Sequence, residues 1–109
     1  MEYSPFELTI ESSTTGILAA ARELGVSIVA YSPLGRGFMS GKYQSVDDFE
    51  DGDFRKYAPR FSRENFPKNL TILHKFEEIA SKKGSSSGQV CLAWLLAQGD
   101  DVFVIPGYV

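Results

Sequence analysis

Residues 26–43 read VSIVAYSPLGRGFMSGKY, and this stretch decides the fold. Its first part, VSIVAY at 26–31, is a β-branched run with little polar alternation, which is typical of a strand covered on both faces. The proline and glycines that follow end the strand and begin a loop. Barrel enzymes and open α/β sheets build their sites at the carboxyl ends of parallel strands. We therefore expect a functional site at the end of this strand.

Strands and helices alternate on both sides of this stretch. The spacing of apolar and turn residues predicts the end of a strand at 2–6, helices at 14–24, 67–83 and 89–98, and a strand at 102–105. A long irregular loop spans 32–67. The alternation implies parallel pairing with helices on the outside. A closed barrel of this class needs eight strands, and only about three are predicted. We expect an α/β fold forming part of a (β/α)8 TIM barrel.

Local signals set the predicted helix ends. Ser13 or Thr14 is expected to cap the first amides of the helix at 14–24, and Gly25 follows where a left-handed residue is common. Ser86 and Gln89 have the spacing of a capping box at the start of the last helix. Because that helix is apolar nearly all round, we expect it to be well buried.

The composition excludes several classes of function. The chain has 109 residues, 43% of them hydrophobic, and a formal net charge of −3. This predicts a packed core and gives no electrostatic reason to expect nucleic acid or an anionic membrane as a partner. The single cysteine, Cys91, rules out an internal disulfide, and its apolar neighbours predict burial. No apolar run approaches the roughly 20 residues that cross a bilayer, and no signal-peptide pattern occurs, so we expect a cytoplasmic protein.

The residues after the central strand suit an anionic ligand with an aromatic ring. Tyr31 can stack on a planar heterocycle, and Ser32 and the glycines let backbone amides approach phosphate oxygens. Arg36 and Lys42 can neutralise those oxygens. Two phosphate-binding motifs nearly match and fail, because the run at 37–42 is one residue short of a P-loop and no third glycine completes a Rossmann motif. On these residues alone, a glycine-rich turn without a ligand stays an open alternative.

A metal site is not expected. The acidic cluster at 47–53 is no EF-hand, because Phe49 occupies a ligand position and Ala58 stands in place of the closing Glu. No set of Cys and His residues has the spacing of zinc ligands. We interpret the cluster as a solvated loop.

Four blocks in register carry a resemblance to a known family. They are EYSPFE at 2–7, AARELGVSIVAYSPLGRG at 20–37, YSPLGRGFMSGKY at 31–43 and GQVCLAWLLAQGDDVFVIPG at 88–107. Together they resemble the aldo-keto reductases, over essentially the whole chain. The resemblance implies a barrel that binds NADPH without a Rossmann domain and reduces a small carbonyl substrate. NADP(H) and that substrate are the expected partners.

The resemblance also implies roles for individual residues. Tyr31 would stack on the nicotinamide ring, and Lys42 would lie near the phosphates. Gly107 would begin the phosphate-contacting turn after the last strand. The pyrophosphate and its ribose would be lined by Ser32, Pro33, Leu34 and Gly35. The long loop would fold over the cofactor, with help from Arg55 or Arg60.

The family's catalytic Asp, Tyr, Lys and His lie in the N-terminal half of its barrel, so no catalytic residue is assigned here. We expect residues 1–109 to be a C-terminal fragment of a reductase domain, inactive alone and of marginal stability. His74 is expected on the wet side of its helix. Two alternatives stay open, a non-catalytic module that binds cofactor or docks on a reductase, and a chain with no folded role.

Overall fold

The computed structural model describes residues 1–107. Its regular elements are α1 (Ile17–Glu23), β1 (Ile28–Tyr31), α2 (Phe66–Lys83), α3 (Ser87–Leu96) and β2 (Val102–Ile105). Short 3₁₀ helices lie at Thr9–Glu11, Phe38–Ser40, Val46–Asp48, Phe54–Tyr57 and Pro59–Phe61. All but the first of these divide the long loop between β1 and α2, so that loop is more regular than the sequence predicts.

The strands β1 and β2 pair in parallel, with Ile28 opposite Val102 and Tyr31 opposite Ile105. This confirms the expected α/β class and parallel pairing. The prediction of a strand at 2–6, and with it a count of about three strands, is wrong for the described residues. Only Glu2 forms a bridge to β1.

The chain leaves the sheet directly after this bridge. Ser4 and Glu7 exchange backbone hydrogen bonds of 3.2 and 3.0 Å around a turn at Pro5. The backbone amides of the turn thus bond locally and do not continue the ladder. What remains of the predicted strand is a short attachment, in which Met1 and Tyr3 make three main-chain hydrogen bonds to Val29 and Tyr31 of β1.

The helix ends follow some of the predicted signals. Ser86 and Gln89 form the expected capping box at the start of α3. Gly25 has φ +66°, as expected of a residue that follows a helix. The expected caps at Ser13 and Thr14 are wrong, because α1 begins at Ile17 after the left-handed Gly16. The residues before Gly16 bond to one another in a turn of their own.

Two apolar clusters hold the elements together. The first lies between the sheet, α3 and the N-terminal segment, and contains Tyr3, Ile10, Ile28, Ala30, Leu95 and Val102. The second fills the space between the long loop, α2 and α3, and contains Phe38, Met39, Phe49, Phe61, Phe66, Leu73 and Cys91. The buried Ser87 hydroxyl donates a 2.9 Å hydrogen bond to the Met39 carbonyl. The long loop is therefore packed around a core of its own.

Cys91 is buried, as its neighbours predict. Burial raises the pKa of its thiol from 9.0 to about 12, so the thiol stays protonated at neutral pH. His74 is exposed on α2, as expected.

One face of the sheet is open. Its side chains are Val29, Tyr31, Phe103 and Ile105, which are 50%, 44%, 54% and 53% exposed. Within residues 1–107 the covered face is the one with Ile28 and Ala30, so the expectation that the central strand is covered on both faces is wrong for the described residues. The prediction that α3 is well buried is only partly confirmed, because Cys91 and Leu95 are buried whereas Leu96 is exposed.

Within residues 1–107, no helix combines the length and apolar character needed to cross a membrane.

Candidate functional site

A cleft of about 450 Å³ opens at the carboxyl ends of β1 and β2. Parallel strands bring the loops that follow them to one edge of the sheet, and both loops contribute to the wall. The lining residues are Tyr31, Ser32, Pro33, Leu34, Arg36, Gly37, Tyr43, Arg55, Ile105 and Gly107. Tyr31 and Ile105 are partners in the sheet register, so the strands fix this end of the cleft.

A left-handed turn directly after β1 forms part of the cleft wall. Ser32, Gly35, Arg36 and Gly37 have φ values of +50°, +58°, +57° and +86°. The turn is closed by backbone bonds from the Gly35 amide to the Ser32 carbonyl (2.9 Å) and from the Phe38 amide to the Gly35 carbonyl (3.2 Å). A left-handed conformation costs a non-glycine residue about 1–2 kcal/mol. Such strain persists where surrounding contacts enforce it, and it is frequent at ligand-binding sites.

Gly35 is required by packing as well as by its φ angle. A Cβ atom at this position would lie 3.0 Å from Cδ1 and 3.2 Å from Cβ of Phe6. The ring of Phe6 stacks on Phe38 with centroids 4.7 Å apart, so Phe6 has little freedom to move away. The absence of a side chain at Gly35 thus lets the turn lie against the second apolar cluster.

Arg55 reaches this turn from the far end of the long loop. Its Nη1 donates a 2.8 Å hydrogen bond to the Arg36 carbonyl, and its Nη2 donates a 3.3 Å bond to the Tyr43 hydroxyl. Its Nη2 also lies 2.6 Å from a carboxylate oxygen of Asp53. The hydrogen bond to Asp53 first, and that to Tyr43 after it, raise the pKa of Arg55 above its usual value. The hydrogen bonds from the Arg55 side chain and amide hold the pKa of Asp53 below its usual value.

Arg36 is the second cation of the cleft. Its Nη2 lies 3.2 Å from a carboxylate oxygen of Glu2, and its guanidinium carbon lies 5.1 Å from the ring centre of Phe54. Glu2 also accepts a 2.8 Å hydrogen bond from Arg60. Glu2 of the N-terminal segment therefore restrains the Arg36 side chain on one side, and the ring of Phe54 restrains it on the other.

A second, more open cleft of about 610 Å³ adjoins the first. It shares Ser32, Arg36 and Arg55 with its neighbour, and its remaining lining residues are Gly52, Asp53 and Phe54. The two clefts meet at these shared residues, which include the cationic side chains of Arg36 and Arg55.

Most of the residues singled out in the sequence meet in the first cleft. Seven of them line it, namely Tyr31, Ser32, Pro33, Leu34, Arg36, Arg55 and Gly107. Gly35 is buried beneath the cleft against Phe6. Lys42 is exposed, with its Nζ 5.5 Å from the ring centre of Tyr43, and it does not line the cleft.

The three arginines expected near the cofactor differ in how they relate to the cleft. Arg36 and Arg55 line it, whereas Arg60 pairs with Glu2 and Glu7. Sequence reasoning missed Tyr43 and Ile105. The parallel pairing of the two strands carries a signal for Ile105, because it places this residue beside Tyr31. No local signal identifies Tyr43, whose place depends on how the long loop folds.

The chain is similar to known proteins over nearly its whole length. A sequence model described as "Aldo/keto reductase family" matches residues 1–109. The chain is 55% identical over 107 residues to the aldo-keto reductase yakc of Schizosaccharomyces pombe, whose name specifies NADP(+). It is also 55% identical over 107 residues to the aldo-keto reductase str7 of Strobilurus tenacellus. Each alignment covers 98% of this chain and 32% of the relative.

A solved structure agrees with the sequence matches. The glycerol dehydrogenase AKR11B4 from Gluconobacter oxydans superimposes with a TM-score of 0.84 at 33% identity. The superposition covers 97% of this chain and 32% of that one. The chain thus spans about a third of the length of the curated relatives it matches. Its fold, as expected from the sequence, corresponds to part of an aldo-keto reductase barrel. On these matches in sequence and structure, the chain belongs to the aldo/keto reductase family.

Proposed function

We propose that this chain forms the cofactor-binding edge of a reductase that uses NADP(H) to reduce small carbonyl compounds. The observation that carries the proposal is the cleft where the exposed ring of Tyr31 adjoins a left-handed glycine turn and the cation of Arg36. The name of the Schizosaccharomyces pombe relative, which specifies NADP(+), supports the choice of cofactor.

The chemistry of the cleft wall fits a dinucleotide. Tyr31 lies on the open face of the sheet, where its ring can pack against a planar nicotinamide. Arg36 supplies a cation for phosphate oxygens. The remaining contacts that the family resemblance implies would come from the residues after the two strands, which are Ser32, Pro33, Leu34 and Gly107.

Two of the predicted site residues need separate treatment. Gly35 would act indirectly, by letting the turn close against Phe6. Lys42 is exposed beside Tyr43, and its contact with the phosphates stays a prediction. A Lys42→Ala variant tests it, since unchanged affinity for NADPH would remove Lys42 from the site.

When bound, NADPH would supply a hydride to the carbonyl carbon. The residues of this chain would bind and orient the cofactor, and the ring of Tyr31 and the apolar side chain of Ile105 would keep water from its nicotinamide face. We propose that they do not supply the proton. By family resemblance, the catalytic Asp, Tyr, Lys and His belong to the part of the barrel before the matched segment. The 109-residue chain alone is therefore expected to bind NADPH without reducing carbonyls.

A second candidate is a module that docks on a reductase without taking part in catalysis. The exposed apolar face of Val29, Tyr31, Phe103 and Ile105 favours it, because open apolar patches of this kind mark interaction surfaces. Titration of the chain into an intact reductase, followed by sedimentation, distinguishes the two. Stoichiometric association without a change in NADPH affinity would favour docking.

NADPH fluorescence titration of the purified chain tests the main proposal. Tyr31→Ala should weaken binding about tenfold, which is the order expected when an aromatic ring that stacks on a heterocycle is lost. Tyr57→Ala is the matched control, because Tyr57 is 80% exposed and lies outside the cleft. No saturable binding, or equal effects of the two substitutions, would refute the proposal.

A further inference from the structure

We infer that Arg55 is a positioning residue, which holds the left-handed turn of the cleft in the shape that binds the cofactor. The inference rests on the proposed function and adds to it a residue that acts through the backbone of Arg36. The contact that carries it is the 2.8 Å hydrogen bond from Arg55 Nη1 to the Arg36 carbonyl, which joins positions 19 residues apart.

The turn needs such a restraint at Arg36. Gly35 and Gly37, on either side, adopt positive φ without steric cost. Arg36 also has a positive φ, of +57°, but its side chain makes this conformation unfavourable. Arg55 also packs closely against this turn, since a Cβ atom built on Gly37 would lie 3.4 Å from Arg55 Nη1. The guanidinium therefore restrains the strained residue between the two glycines by both a hydrogen bond and contact.

An arginine suits this task better than a lysine. Its planar guanidinium presents several donors in a fixed fork, and here they serve Asp53, the Arg36 carbonyl and the Tyr43 hydroxyl together. The guanidinium carbon lies 4.6 Å from the ring centre of Tyr43 and 4.3 Å from that of Phe49. The side chain is thus held on its faces by aromatic rings and at its edge by hydrogen bonds.

Asp53 makes Arg55 a structural cation more than a ligand-binding one. The two side chains are only 16% and 15% exposed, and Asp53 accepts hydrogen bonds from both the side chain and the amide of Arg55. The charge of Arg55 is therefore largely satisfied within the protein. Its effect on the cofactor would come through the turn, while Arg36 keeps its side chain on the cleft wall.

A double-mutant cycle tests this mechanism through NADPH affinity. Arg55→Lys should weaken binding about tenfold, since it removes a hydrogen bond to a strained, part-buried carbonyl. Arg63→Lys is the matched control, because Arg63 makes a similar double contact with Asp47 on the exposed surface. In an Arg36→Gly background, where glycine adopts the left-handed conformation freely, Arg55→Lys should weaken binding by less than about threefold.

A ligand-free measurement separates failure of the inference from failure of the proposed function. Amide hydrogen exchange at Gly35, Phe38 and Met39 should become about tenfold faster in Arg55→Lys and stay unchanged in Arg63→Lys, while α2 keeps its protection. Unchanged exchange in the turn, or an equal loss of affinity in both Arg36 backgrounds, would overturn the role of Arg55. If native protein binds no NADPH, the proposed function fails and the exchange result alone decides on Arg55.

Discussion

Gly35→Ala gives the sharpest test of how the cleft is built. The substitution forces alanine into φ +58° and places its Cβ atom 3.0 Å from the Phe6 ring. The backbone term costs about 1–2 kcal/mol, and inserting a methyl group into a packed contact adds roughly 1–3 kcal/mol. We expect the free energy of unfolding to fall by about 2–5 kcal/mol, which is a large part of the stability of a small domain.

Gly84→Ala measures the backbone term without the packing term. Gly84 ends α2 at φ +62°, and nothing lies within 4 Å of a Cβ atom built on it. Its cost should be the backbone term alone, about 1–2 kcal/mol. The difference between the two variants then measures the packing of the turn against Phe6.

Urea unfolding followed by Trp94 fluorescence and circular dichroism is the assay. The urea midpoint of Gly35→Ala should lie below that of Gly84→Ala. If a variant is already unfolded without urea, its free energy of unfolding has fallen by at least the full stability of native protein. A Phe6→Ala change should cost less in the Gly35→Ala background than in native protein, because it removes Cδ1 and Cγ, two of the three Phe6 atoms that the methyl group meets. Equal midpoints for the two glycine variants would refute the packing argument.

Three further predictions follow from local features. Cys91 should resist iodoacetamide at pH 8 in folded protein and react on unfolding, because its side chain is buried and that burial raises the pKa of its thiol; mass spectrometry reads this directly. Ser86→Ala should lower the free energy of unfolding by about 1 kcal/mol through loss of the capping box, whereas Ser85→Ala should not. The lowered pKa of Asp53 means that its ion pair stabilises the fold above the ordinary carboxylate range of about pH 4 and is lost as pH falls through its folded pKa. The urea midpoint of native protein should therefore decline below about pH 4, and Asp53→Asn should reduce that decline.

The sequence predicts the local structure well where one signal dominates. The β-branched run at 26–31 becomes β1, and the capping box at Ser86 starts α3. Sequence prediction fails at the N-terminal segment, because Ser4 and Glu7 bond to each other across a turn at Pro5 in place of the sheet. Ser13 and Thr14 fail as caps for a similar reason, since a left-handed Gly16 delays the helix.

The cleft shows the same division. The order and spacing of the chain place Tyr31, Ser32, Pro33 and Leu34 together, because they follow one strand directly. Gly107 joins them because its strand is parallel to the first. These placements depend on near neighbours in the chain and on the general geometry of parallel sheets.

By itself, therefore, the sequence determined the α/β class, the parallel pairing, the family and the strand end on which the cleft is built. Only the tertiary structure decided that Arg55 donates a hydrogen bond to the Arg36 carbonyl and that Lys42 does not line the cleft. The physical reason is that the long loop takes its shape from packing among Phe38, Phe49 and Phe61. Such contacts between residues far apart in the chain leave no periodic signal in the sequence. The positions of the side chains that they orient are therefore set only when the loop is folded.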